Sequence, residues 1–150
     1  ARSFFKLANS FEQEQSFNPE IFNKKLEKTL NNLKSFNSKI EKNLRQPASY
    51  LQLRTLYFQK ESFKAVYKKL ENFTPISGDK EFILTFKKEM RPLIQGLKQK
   101  YSSFNQLGKK LIENNLILTS FNKDFYPELV EYDSRHSKTQ LINLDSLGDK

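Results

Sequence analysis

The chain has no cysteine and no tryptophan, and only one histidine, one methionine and four glycines in 150 residues. Each shortage removes a class of chemistry. Without a thiol there is no disulfide, no zinc-thiolate or iron–sulfur site and no cysteine nucleophile. Four glycines are too few for a phosphate-cradling loop, and no such motif occurs. The single histidine, His136, lies in the polar run Asp133-Ser134-Arg135-His136-Ser137 and reads as a solvated side chain. It supplies neither the paired Glu-x-x-His of a di-iron bundle nor a Ser/His/Asp relay. Glu128 and Glu131 have the spacing of a weak cation site and read more simply as an exposed acidic turn. No apolar run approaches the ~18 residues that a bilayer-crossing helix needs. No cofactor, metal or catalytic residue is expected.

What is present is aromatic and basic. Apolar residues make up 37% of the chain, so burial must come largely from fourteen Phe and six Tyr, whose rings each cover a large area. The formal charge is +9. Residues 123–150 hold four Lys or Arg against six Asp or Glu, so the +11 on residues 1–122 belongs to the helical body. Most of that charge reads as a solvated exterior, and an anionic partner is the alternative. The start at Ala1-Arg2-Ser3 without methionine suggests a removed export signal or a piece of a longer chain, and favours an exported or periplasmic location over a cytoplasmic one.

Apolar spacing of three and four residues predicts helices throughout. Phe4, Leu7, Ala8 and Phe11 suggest a short helix near the start. Asn18-Pro19-Glu20 is a strong start signal for a second, with Asn as cap, proline where no amide is needed and an acid in the first turn. From there Phe22, Leu26, Leu30, Leu33, Phe36, Ile40 and Leu44 form one narrow stripe, giving a helix over 19–45. Residues 48–73 carry apolar groups on more than one face and form either one helix or two, broken near Lys60-Glu61-Ser62 with Ser62 as cap. Thr74-Pro75-Ile76-Ser77-Gly78 is a loop. The longest stripe runs through Phe82, Phe86, Met90, Leu93, Leu97, Tyr101, Phe104 and Leu111, predicting a helix over 80–118 capped by Asp79. Pro92 should kink it, yet the stripe stays in phase across it, favouring one helix. Gly96 and Gly108 each weaken that helix by about 1 kcal/mol unless a neighbour needs the space. Thr119 to Asp124 reads as a turn, and Phe125-Tyr126-Pro127 seeds a short helix through Glu131.

The fold class is therefore all-α: antiparallel hairpins of three main helices with shorter terminal ones, built as a bundle or a short solenoid. Residues 1–132 form the helical domain and 133–150 a tail that is docked or disordered. The tripeptide Ser-Phe-Asn recurs at 16–18, 35–37, 103–105 and 120–122 without a common period, so it reflects composition.

At two places the chain resembles bacterial helical-repeat proteins of the tetratricopeptide kind. Leu56-Tyr57-Phe58, then Ser62-Phe63-Lys64-Ala65-Val66-Tyr67, Leu70 and Pro75, is similar to their hairpin, although the turn lacks a glycine and the spacing from Tyr57 to Ala65 is off by one. The segment Phe86–Leu118, with Met90-Arg91-Pro92-Leu93, Tyr101 and Asn114-Asn115-Leu116, is similar to helices closing such arrays in envelope proteins. The resemblance implies a scaffold or adaptor whose concave face binds a protein segment.

The expected function is a non-enzymatic protein–protein interaction module. A second reading is a basic module binding nucleic acid or an anionic surface. Lys60, Lys64 and Lys68 would form its contact ladder at i,i+4 on one helix, repelling one another by a few tenths of a kcal/mol per pair. Only five of the 26 basic residues are Arg, which argues against base readout. A third reading is a bundle enclosing a hydrophobic ligand between aromatic faces.

Overall fold

The computed structural model describes residues 17–76, 79–115 and 122–126. Helix accounts for 89% of these residues and no strand occurs among them, so the chain is an all-α helical bundle. Helix α1 spans Pro19–Glu41, α2 Ser49–Asn72, α3 Lys80–Asn115 and α4 Asn122–Phe125.

The ends of these helices follow from local chemistry. Asn18 Oδ1 accepts the Glu20 and Ile21 amides at 3.0 and 3.4 Å, satisfying donors that the first turn cannot pair internally. Asp79 does the same for Glu81 and Phe82 at 2.9 and 3.4 Å. On the surface of α1, Glu20 and Lys24 form an i,i+4 pair at 3.1 Å. Before Pro47 the chain tightens into a 3-10 turn over Lys42–Arg45, so the predicted 19–45 helix is α1 plus this turn. Gln52 at the start of α2 donates to the Leu44 and Gln46 carbonyls at 3.2 and 2.5 Å, pinning the connection.

Residues 49–72 form one helix with no break at Ser62. Ser62 is buried inside it, and its hydroxyl accepts a hydrogen bond from Asn37 Nδ2 at 3.0 Å, so it joins two helices and starts none. Helix α3 runs 36 residues with Pro92 inside it. Pro92 offers no amide to the carbonyl of Lys88, but both residues are exposed and that turn is wet. The short helix near the end begins at Asn122, earlier than the Phe125 start that the sequence suggests. The expected helix near Phe4, the 116–118 end of the long helix, Glu128, Glu131, His136 and the tail 133–150 lie outside the described residues.

The chain divides into two compact units, Ala1–Lys39 with Glu61–Tyr101, and Ile40–Lys60 with Ser102–Lys150. In the first, Phe22 and Leu33 of α1, Val66, Tyr67 and Leu70 of α2, and Leu97 of α3 form the core. Each such side chain contributes about 1.5–3 kcal/mol on burial. Phe22 packs on Phe73 and Phe86 with centroids at 4.9 and 5.2 Å, and Phe17 on Phe86 at 5.5 Å. Phe22 opens α1 and Phe73 follows the end of α2, while Asn37 late in α1 meets Ser62 midway along α2, so these helices are antiparallel. The pairs Phe73–Phe86 at 5.7 Å and Tyr67–Tyr101 at 5.8 Å make α2 and α3 antiparallel too.

In the second unit Leu53 and Leu56 of α2, Ile112 of α3 and Phe125 of α4 form the core, with Leu44, Phe104, Leu111 and Tyr126 against it. Ser49 donates to Asn115 Oδ1 at 3.4 Å and Lys60 to Asn105 Oδ1 at 3.3 Å, again an antiparallel pair. The Tyr126 hydroxyl donates to the Glu113 carboxylate and lies 3.3 Å from the Lys109 carbonyl, an alternative acceptor, fastening the residue after α4 to α3.

Candidate functional site

The lysine ladder expected on α2 is interrupted at its first member. Lys60 is buried in the second unit, whereas Lys64 is partly exposed beside Glu61 at 3.9 Å and Lys68 is exposed. Lys60 Nζ donates to Asn105 Oδ1 and to the Asp124 carbonyl, and it lies 4.6 Å from the Phe125 ring centroid and 5.9 Å from that of Tyr57. The ammonium thus meets neutral oxygens and ring faces, which suits a structural tie between helices. A residue so placed is not a surface contact for an anionic partner. The reason lies in α2 itself, which buries more than one face, so a position that reads as solvated is covered by α3 and α4.

The first unit carries a groove of about 340 Å³ between α2 and α3. Leu70, Phe73, Phe86, Met90 and Ile94 give it an apolar floor, and Lys87, Arg91, Gln95, Lys98 and Glu71 give it a polar rim. The floor is set by the long stripe of α3, because Phe86, Met90 and Ile94 are spaced at i,i+4 and share one side of the helix. Lys87, Arg91 and Lys98 flank that line.

The rim charges are not alike. Lys98 Nζ lies 2.5 Å from Glu71 Oε1 and 5.6 Å from the Tyr67 ring centroid, so it is engaged within the fold. Lys87 and Arg91 are exposed, and neither has an ion-pair partner among the described residues. Burial raises the Tyr67 hydroxyl above the ordinary tyrosine range; the neighbouring Tyr101 adds to this and Lys64 and Lys98 work against it. Tyr67 is therefore a neutral core residue near neutral pH.

Among the described residues no group of three or more His, Asp or Glu is placed to hold a metal ion, and no helix is long and apolar enough to cross a membrane. No family model, curated protein or solved structure matches the chain.

Sequence reasoning passed over the groove. Its signal was the offset of one residue between the apolar line Phe86, Met90, Ile94 and the cationic pair Lys87, Arg91, which puts fixed charge at the lip of an apolar surface. That pattern becomes a groove only because α2 supplies Leu70 and Phe73 as the facing wall.

Proposed function

We propose that this chain is a non-enzymatic protein-interaction module whose working surface is the groove between α2 and α3. One observation carries the reading: Phe73, Phe86, Met90 and Ile94 are only partly covered between two packed helices, beside a charged rim. Covering such side chains returns about 25 cal/mol per Å² of apolar surface, and an apolar floor within a polar rim is the anatomy of a protein interface. The antiparallel hairpins and the tetratricopeptide-like residues Tyr57, Ala65 and Tyr67 support the same reading, and an envelope location belongs to it.

A photo-crosslinking residue at Gln95 in the groove should give a discrete protein adduct in extracts of the native cell, and the same residue at the exposed position Lys34 of α1 should not. Equal yields at both positions, or no adduct at Gln95, would remove the reading.

The net charge of +9 favours a second reading, binding to nucleic acid or an anionic surface through cations such as the exposed Lys68 and the partly exposed Lys64. That reading requires affinity for duplex DNA to fall steeply between low and moderate salt, because each neutralised phosphate releases a counterion.

A further inference from the structure

We propose that the groove takes an acidic amphipathic α-helix supplied by another protein. The inference rests on the protein-interaction reading above and adds the chemistry of the partner.

Charge sets the sign. Within Lys80–Tyr101, the α3 residues of the first unit, Lys and Arg number six and Glu two, and the groove's one acid, Glu71, is already engaged by Lys98. Lys87 and Arg91 therefore present cations at the lip with no acid of the described fold against them. Carboxylates on a partner would complement them, and lysines would be repelled. A second copy of this chain, itself strongly basic, is a poor fit.

Backbone chemistry sets the conformation. Both walls are helical, and the few carbonyls without an intrahelical amide, that of Lys88 opposite Pro92 and those of the last turn of α2, form no continuous edge with which an extended peptide could pair. A helix arrives with its own backbone satisfied and needs only side-chain contact. From Phe86 to Lys98 the groove wall runs about 18 Å, the length of some three helical turns. The partner's apolar residues at i, i+3 or i+4, and i+7 would sit over Phe86, Met90 and Ile94, with Glu or Asp on the flank facing Lys87 and Arg91. The floor is recessed between helices, which a peptide can enter and the flat surface of a bilayer cannot.

Four synthetic helices of about fourteen residues test this against the full chain by fluorescence anisotropy. Three share one leucine stripe and carry Glu, Gln or Lys flanks, and the fourth is the Glu peptide with a central proline. The Glu peptide should bind about tenfold more tightly than the Gln peptide, the worth of two exposed charge pairs, and the Lys and proline peptides more weakly still. The double variant Lys87→Glu, Arg91→Glu, both at exposed positions, should reverse the order of the Glu and Lys peptides.

An order unchanged by that variant, equal binding of the proline peptide, or no binding by any of the four would overturn the inference. So would tighter binding to phosphatidylserine vesicles than to the Glu peptide, or self-association that the double variant abolishes. A protein adduct at Gln95 combined with any of these outcomes leaves the interaction reading standing and removes only the acidic helix.

Discussion

Phe125 lies across Gly108 so closely that a Cβ on the glycine would come within 2.0 Å of the ring's Cε1. The ring is fully buried, so it has little room to yield. Gly108→Ala should therefore destabilise the chain by about 1–3 kcal/mol, although alanine is the better helix former. Gly96 makes the contrast, because a Cβ there meets nothing within 4 Å. Gly96→Ala should stabilise by about 0.4–1 kcal/mol. Urea unfolding of the two variants checks both signs, and a Gly108→Ala protein as stable as Gly96→Ala would show that Phe125 does not pack as described.

Lys60 is expected to matter for stability. Lys60→Ala removes the buried stem and leaves Asn105 Oδ1 and the Asp124 carbonyl without its ammonium, a loss of about 2–4 kcal/mol. Lys60→Met keeps the volume and loses only the donor, and should cost about 1–2 kcal/mol. Denaturation midpoints that place Lys60→Ala level with the parent would mean that the side chain is solvated.

Tyr67 gives a pH dependence with a definite sign. Its hydroxyl titrates higher in the fold than in the unfolded chain, whose ordinary value is 10.0, because burial disfavours the phenolate. The folded state therefore holds this proton more tightly. The stabilisation is complete below the unfolded value and is lost as pH rises through the folded one. Unfolding free energies measured from about pH 9 to 11 should fall more steeply for the parent than for Tyr67→Phe. Parallel curves would remove Tyr67 as the source.

The two caps should be separable. Asp79→Ala and Asn18→Ala each remove an oxygen that binds two first-turn amides, at a cost of about 1 kcal/mol. Asp79→Asn keeps the acceptor and loses the charge facing the helix dipole, so its smaller deficit of about 0.3–1 kcal/mol should shrink with added salt. Thermal melts by circular dichroism in low and high salt read this directly.

Much of the secondary structure was legible because caps and stripes are local. Asn18 and Asp79 announce their helices by residue type, and the stripe through Phe86 and Leu97 keeps phase across Pro92, which is why α3 survives it. Packing was less legible. Periodicity says which side of a helix is apolar but not what lies opposite, so Lys60 reads as one rung of a wet ladder, although its long stem can be buried wherever oxygens and ring faces meet its tip. The groove was hidden for the same reason, since its two walls come from residues that are far apart in the chain. The recurring Ser-Phe-Asn is instructive here. Asn18 caps α1, Asn37 reaches Ser62, Asn105 accepts from Lys60 and Asn122 is buried at the start of α4. Four copies of one tripeptide do four different jobs, as expected of composition and not of duplication.

The division of the chain has a consequence for its inheritance. Both compact units are stitched from two separated stretches, and their boundaries fall at Lys39, Lys60 and Tyr101, inside α1, α2 and α3. A single recombination event cannot lift either unit out whole and graft it elsewhere. Lineages carrying this architecture should vary it by drifting residue by residue, not by shuffling modules.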